Sequence, residues 1–188
     1  RRARAAAGVA TIALGAAAAL APSAQAGSFT VTSLADAPAN ACDASCTLRD
    51  AIDAGTADPT PDTITFASGL SGTIELTQGQ LEVYDQTNLQ GPGAGAVTVD
   101  GNGLDNVFYV RTEPQSARIA GLTVTGGNAV DGGGIFFEDV SPQNSTLTID
   151  DVTFSANSAA YGGAINASTG NLTVSNSRFV NNFASDSG

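Results

Sequence analysis

The acidic pair Asp150 and Asp151 has the residue types that could hydrolyse a sugar. Glycoside hydrolysis uses two carboxylates that lie roughly 5 to 9.5 Å apart. These two residues are adjacent, and an extended strand sends adjacent side chains to opposite faces. Their counterparts one repeat later are Ser175 and Asn176, which indicates replaceable positions that face solvent. We therefore predict that neither aspartate is catalytic.

Basic residues offer a second route to sugar chemistry, because polysaccharide lyases typically combine acid-bound calcium with an arginine or lysine base. Arg111, Arg118 and Arg178 are candidates, but none belongs to a recognisable lyase motif. Asp131 and the pair Glu138–Asp139 could share an outer face, and solvation explains them more simply. With no histidine in the chain, a Ser–His or Cys–His nucleophile is excluded. The sequence therefore predicts no catalytic residue.

The stretch "DGNGLDN" at 100–106 invites a calcium interpretation. It lacks the acid spacing of an EF-hand loop. A turn between the strand-like runs "AVTV" and "VFYV" explains its glycines and asparagines equally well. We predict neither a metal site nor a cofactor.

The N-terminus has the pattern of an export signal. Three arginines precede an alanine-rich apolar run, and Ala24-Gln25-Ala26 forms a small-x-small cleavage site. This pattern predicts a signal peptide at 1–26, cut between Ala26 and Gly27. A transmembrane anchor is the weaker alternative, because the run is short and built from alanine.

Charge narrows the range of partners. After Ala26 the chain carries four arginines and 18 acidic residues, a net charge of −14, with no lysine, histidine, methionine or tryptophan. Such a surface repels nucleic acid and anionic lipid. We predict no nucleic-acid partner and no membrane-spanning helix after the signal; the oligomeric state is left open.

The sequence has only two cysteines, Cys42 and Cys46 in "CDASC". In an exported protein, two nearby cysteines are more typical of a disulfide than of a metal pair. Four-residue spacing in a helix or tight turn places the Cα atoms about 6 Å apart, within disulfide range. The absence of histidine excludes a Cys–His zinc site.

The segment 27–62 precedes the repeats and contains one convincing helix. "SFTVTSLAD" alternates like a strand, and "CTLRDAIDAG" follows a polar loop. Thr47 with Asp50 fits a capping box. Leu48, Ala51 and Ile52 share one helical face, and Gly55 is a natural stop. We predict a helix near Thr47–Ala54.

From Thr63 onward, short runs of alternating apolar residues are separated by Gly, Asn, Asp, Pro or Ser, which is an all-β pattern. "ARIAGLTVTGGNAVDGGGI" aligns without gaps with "LTIDDVTFSANSAAYGGAI" at an offset of 30, and the latter with 172–188 at an offset of 25. Length changes confined to one link are typical of a solenoid. A unit of this size with about three strands predicts a coil of a parallel β-helix, in which like residues stack.

The aligned columns predict a core and corners. The inward stacks are Ile119, Ile149 and Val174, and Val124, Phe154 and Phe179. Corners are predicted at Gly132, Gly133, Gly162 and Gly163, where the backbone needs positive φ or close approach, and at Asn157 and Asn182. Asparagine tolerates left-handed geometry, and stacked amides bond along a solenoid. The coils occupy 63–188, and the end inside a coil leads us to expect a longer protein.

Several of these segments resemble known families. "CTLRDAI" looks like the CSLREA motif of exported bacterial β-helix proteins, and "GGAI", "FSAN" and "FVNN" resemble repeats of chlamydial-type polymorphic outer-membrane proteins. The resemblance implies a right-handed parallel β-helix whose N-terminal segment caps the first coil. It also implies secretion or display at the cell surface, at the outer membrane of a Gram-negative organism. We therefore treat the N-x-S/T sites at Asn144, Asn166 and Asn171 as turn asparagines.

Two functions fit this sequence. The first is a non-enzymatic surface module that binds an extracellular glycan or a surface protein. The second is a polysaccharide lyase or glycoside hydrolase, since this fold often hosts both. The candidate acids and arginines lack a catalytic pattern, so we favour the first.

Overall fold

A computed structural model describes residues 26–56, 60–84, 86–112, 116–139 and 145–187. The predicted signal peptide at 1–26 lies outside the described residues, apart from Ala26. Asn144 and Gly188 also lie outside them. Within the described residues, no helix is long and apolar enough to cross a membrane.

The fold is a parallel β-helix, as the repeats predict. Each coil contributes strands to stacked sheets, and every strand pairing described is parallel. The first sheet follows the order β1 (Ser28–Val31), β2 (Asp62–Phe66), β5 (Thr87–Gln90), β8 (Ser116–Thr125), β11 (Thr146–Ser155) and β14 (Asn171–Ser175).

The remaining strands extend or close the coils. In the same sheet, β3 (Gly72–Glu75) pairs with β6 (Val97–Asp100), and β6 pairs with the second half of β8. The short strand β15 (Arg178–Val180) pairs with the second half of β11. The second sheet has the order β13 (Ile165–Ala167), β10 (Ile135–Glu138), β7 (Phe108–Arg111) and β4 (Leu81–Val83). The third has the order β16 (Phe183–Ser187), β12 (Ser158–Tyr161) and β9 (Asn128–Asp131).

The core is a set of stacked apolar columns. Ile119 pairs in register with Ile149, and Val124 with Phe154; all four are at most 1 % exposed. Alternation along each strand sends these residues inward, so like side chains meet in successive coils.

The last coil keeps the predicted column positions, but its column members are exposed. Val174 and Phe179 hold the inward register positions but are 41 % and 50 % exposed. Among the described strands, β14 and β15 each pair only with β11. No described residue covers the far side of β14 and β15, so the apolar side chains of these strands are exposed there.

In the N-terminal segment, which we call the cap, the predicted helix forms as α1 (Leu48–Gly55) and packs against β1, β2 and β4. The Thr47 side chain accepts from the backbone N–H of Asp50, and the Asp50 carboxylate accepts from that of Thr47. This reciprocal capping box satisfies two of the free N–H groups at the helix start. Leu48, Ala51 and Ile52 are buried, so the apolar face of α1 closes the end of the core.

Left-handed residues recur at the same point in successive coils and turn the chain at the corners. Positive φ occurs in three columns, namely Gly121, Asp151 and Asn176; Gly126, Ala156 and Asn181; and Gly132 and Gly162. Gly133 and Gly163 do not have positive φ. At these positions the backbone of a neighbouring segment comes too close to leave room for a side chain. A Cβ added at Gly163 would lie 2.2 Å from the carbonyl oxygen of Phe183.

Asn157 and Asn182 form an amide ladder at their corner. The side-chain N–H₂ of Asn157 donates to Oδ1 of Asn182 and to the carbonyl of Val124, each at 3.0 Å. Asn182 in turn donates to the carbonyl of Phe154 at 3.0 Å. The left-handed residue is the one before each asparagine, so these amides act through hydrogen bonds and not through their backbone geometry.

Cys42 and Cys46 are joined by a disulfide, with a Cα–Cα distance of 4.4 Å. We expect protein purified without reductant to be lighter than its reduced form by the pair of hydrogen atoms lost on oxidation. Intact mass spectrometry with and without reductant measures this difference. Two thiols that alkylate freely in the non-reduced protein would contradict the assignment.

Candidate functional site

The candidate acids of the sequence do not face each other as a catalytic pair. Asp150 lies on the outer face, where Oδ2 accepts from Arg118 at 2.8 Å and Oδ1 accepts from Ser175 and Asn176 at 2.8 Å each. Asp151 is exposed and left-handed, with φ 52°. Hydrogen bonds from Asn176 and Ser175, followed by Arg118, lower the pKa of Asp150, whereas a general acid needs a raised pKa.

Of the other candidate acids, Asp131 and Glu138 are partly buried, whereas Asp139 is buried. The Asp131 carboxylate accepts from the amide of Asn166 at 2.8 Å, and Glu138 accepts from the hydroxyl of Tyr109 at 2.6 Å. Asp139 is only 8 % exposed and accepts from the backbone N–H and hydroxyl of Ser145. The expectation that Glu138 and Asp139 share an outer face is therefore wrong, because alternation turns Asp139 inward.

The "DGNGLDN" segment forms a turn between β6 and β7. Asn102 and Gly103 adopt positive φ, and Asp100 accepts from the backbone N–H of Asn102 at 2.9 Å. No group of three or more metal-ligating side chains occurs in the part of the chain that the structure describes.

The CTLRD segment holds the cap to the coils. Arg49 donates to both carboxylate oxygens of Asp36, at 2.8 and 3.3 Å, and to the carbonyls of Gly79 and Gln80, at 2.8 Å each. The side chains of Arg49 and Asp36 are 11 % and 1 % exposed. Asp36 also accepts from the backbone N–H groups of Thr77 and Gln78. This charged network joins the cap loop, α1 and the turn before β4.

The cap is expected to loosen in acid. Burial raises the pKa of Asp36, but the bonds from Arg49, Thr77 and Gln78 outweigh it and leave the pKa lowered. A carboxyl with a lowered folded pKa stabilises the protein above its unfolded pKa, about 3.9, and loses that contribution as the pH falls through the folded value. Asp36→Asn should flatten the drop in stability below about pH 4. An equally steep drop in the variant, measured by urea unfolding across pH, would contradict this role.

A row of hydrogen-bonding side chains runs along the outer face of the first sheet. Thr63 pairs in register with Asn88, Asn88 with Arg118, and Arg118 with Thr148. We call these four residues the outer row. Adjacent members lie on adjacent strands, spaced about 4.8 Å apart. The outer row borders a surface groove of about 270 Å³ whose walls include Asp62, Gln86 and Ser116.

The outer row has unused hydrogen-bonding capacity. Oδ1 of Asn88 is buried without a hydrogen-bond partner. Arg118 bonds to Asp150 through Nη2 alone, so its Nε and Nη1 have no partner among the described residues. Sequence reasoning singled out Arg118 and missed Thr63, Asn88 and Thr148. The available signal was the polar residue at alternate positions in "TIT", "TNLQ", "ARI" and "LTI".

An aromatic cluster and a polar cavity lie on or beside the second sheet. Tyr109 stacks on Phe136, with ring centroids 5.6 Å apart, and meets Tyr84 edge-on at 6.2 Å. Tyr84 donates to Glu82 at 2.5 Å. Glu82 also lines a polar cavity of about 370 Å³ together with Arg49, Asp53 and Asp105.

Comparison with known proteins yields one informative similarity. The chain is 37 % identical over 127 residues to the Escherichia coli K12 protein named "Probable autotransporter YfaL". The match covers 63 % of this chain and 10 % of that protein, so the chain spans about a tenth of the relative's length. No protein-family model and no solved structure matches the chain.

Proposed function

We propose that this chain is a secreted or surface-displayed β-helix module that binds an extracellular glycan or a surface protein and catalyses no reaction. Residues 27–62 would form the cap and 63–188 the coils of a longer β-helix. The similarity to a protein named as an autotransporter supports export. The CSLREA-like "CTLRDAI" segment, which anchors the cap through Arg49, supports placement with exported β-helix proteins.

The observation that carries this proposal is a contrast between two sets of polar residues. The candidate acids already accept hydrogen bonds from the protein, whereas the outer row keeps hydrogen-bonding atoms without partners. Asp150, Asp131 and Asp139 are committed to hydrogen bonds that join coils or fix loops. The outer row crosses four coils, and Nε and Nη1 of Arg118 have no partner there among the described residues. Such a surface suits recognition of an extended ligand, and it offers no opposed carboxylate pair.

Glycoside hydrolysis is the second candidate, and the cavity at Glu82 and Asp53 is the observation that favours it. Loss of water around Asp53 raises its pKa; the positive charge of Arg49 opposes this rise, and the negative charges of Asp50 and Glu82 add to it. A carboxyl with a raised pKa is what a general acid requires. Asp53 is nevertheless exposed, whereas catalytic acids usually owe their raised pKa to burial.

A paired experiment separates the two functions. The protein after Ala26 is tested on an array of glycans and matrix proteins, and in parallel for release of reducing sugars and unsaturated uronides. We expect binding without turnover. Turnover that disappears in Asp53→Asn and Glu82→Gln, or uronide release abolished by Arg118→Gln, would replace the proposal with an enzymatic function.

A further inference from the structure

We propose that the outer row, Thr63, Asn88, Arg118 and Thr148, binds a neutral oligosaccharide that lies along the axis of the β-helix. This inference rests on the proposed binding function and names its site and ligand class. Because the four residues are in register on neighbouring strands, they form a straight line of polar groups at the spacing of the coils. A regular chain of pyranose units meets such a line with a repeating set of hydroxyls.

The polar chemistry of the row matches hydroxyl groups, which both donate and accept. Oδ1 of Asn88 is buried without a partner, which destabilises the unliganded protein, and the Asn88 amide must turn toward the groove before a sugar hydroxyl can donate to it. The unbonded Nε and Nη1 of Arg118 need acceptors. The hydroxyls of Thr63 and Thr148 serve in either role. A sugar ring carries both partners on neighbouring carbons.

The row does not have the composition of a protein-binding surface. Protein interfaces are anchored by large aromatic or aliphatic side chains that fill pockets. None of the four members is aromatic or aliphatic, and the register neighbours at either end are Ser28 and Thr173. The aromatic side chains Tyr84, Tyr109 and Phe136 belong to a different sheet or the link beside it. The hydroxyl groups of an oligosaccharide can bond to polar side chains of this kind.

Charge around the groove favours a neutral sugar over a uronate or sulfated one. The Asp150 carboxylate forms an ion pair with Arg118 at 2.8 Å and offsets its positive charge. Asp62 lines the same groove. The chain after Ala26 has a net charge of −14, which repels a polyanion. Binding through neutral hydrogen bonds should therefore depend little on salt.

The test uses the chain after Ala26 and hexasaccharides as probes. Neutral glucans, mannans and xylans are compared with oligogalacturonate by calorimetry and by NMR. We expect a neutral hexasaccharide to bind with little change between low and high salt, and to shift the side-chain amide of Asn88 and the strand amides β2, β5, β8 and β11. Thr148→Val and Asn88→Ala should each weaken binding about fivefold, the effect of one hydrogen bond.

Thr98→Val is the matched control, because Thr98 faces outward on β6 with comparable exposure but outside the groove. It should leave binding unchanged. Asn88→Ala should not lower the melting temperature, since the Oδ1 it removes has no partner; a clear loss would show a structural role instead. Tighter binding of oligogalacturonate, or neutral binding that Thr148→Val and Asn88→Ala leave intact, overturns this inference while the proposed binding function survives. No binding by any probe or array ligand overturns both.

Discussion

Phe154→Ala should lower the free energy of unfolding by about 3–5 kcal/mol. Phe154 is fully buried and stacks on Phe179, with ring centroids 5.1 Å apart and planes 11° apart. Val124 lies under it in the previous coil. Removing the ring leaves a cavity between two coils whose backbones are fixed by pairing, so the walls cannot collapse to fill it.

Urea unfolding followed by far-ultraviolet circular dichroism measures this loss. Phe179→Ala is the matched control, because it removes the same side chain from the same column at a position that is 50 % exposed. The control should lose clearly less stability. A loss below about 1 kcal/mol for Phe154→Ala would place Phe154 outside the core.

Arg49→Ala should cost a similar amount, about 3–5 kcal/mol, because it strips the partner from a buried charge. Asp36 would keep its backbone N–H partners but lose both bonds from the guanidinium. The carbonyls of Gly79 and Gln80 would lose their donor as well. We expect the cap to detach from the first coils, exposing the buried face of α1.

Arg118→Ala provides the comparison for this prediction. Arg118 and Asp150 form an ion pair at the same 2.8 Å separation, but their side chains are 36 % and 29 % exposed. Exposed ion pairs contribute little to stability because water screens them, so this change should barely affect stability. Equal losses in Arg49→Ala and Arg118→Ala would show that the cap network contributes no more than a surface pair.

The core and the cap helix were predictable because their signals are periodic. Apolar columns such as Ile119 over Ile149 recur at a fixed offset, and only stacked coils bring such positions together. Thr47 and Asp50 were predictable as a capping box because that motif acts over three residues. Each of these signals is contained in local sequence or in a comparison of one repeat with the next.

The corners were predictable only in part. Gly132 and Gly162 announce positive φ because glycine has no Cβ. Asp151 and Ala156 adopt the same conformation without such a signal, since alanine strongly disfavours it. The stacking of coils holds them there, and that constraint is invisible in a local sequence window.

The outer row and the Arg49 network depend on contacts between distant segments. Asn88 lies in an early coil that the repeat alignment did not include, so its register with Arg118 could not be read from the sequence. Arg49 meets carbonyls about 30 residues away. Asp150 and Asp151 were candidates because two adjacent carboxylates are visible in the sequence. The only sequence signal of the groove beside the outer row is a pattern of alternating polar residues.

The in-register stacking of coils underlies the core, the amide ladder and the outer row, and an engineered cysteine pair tests it most directly. Thr73 and Thr98 are register partners on β3 and β6, about 4.8 Å apart, which is within disulfide range. Thr73→Cys with Thr98→Cys should oxidise to a bridge that peptide mapping finds beside the native Cys42–Cys46 bond. Glu75→Cys with Thr98→Cys, on the same face but two residues out of register, should remain as free thiols. Bridging of the shifted pair in preference to the register pair would contradict the account.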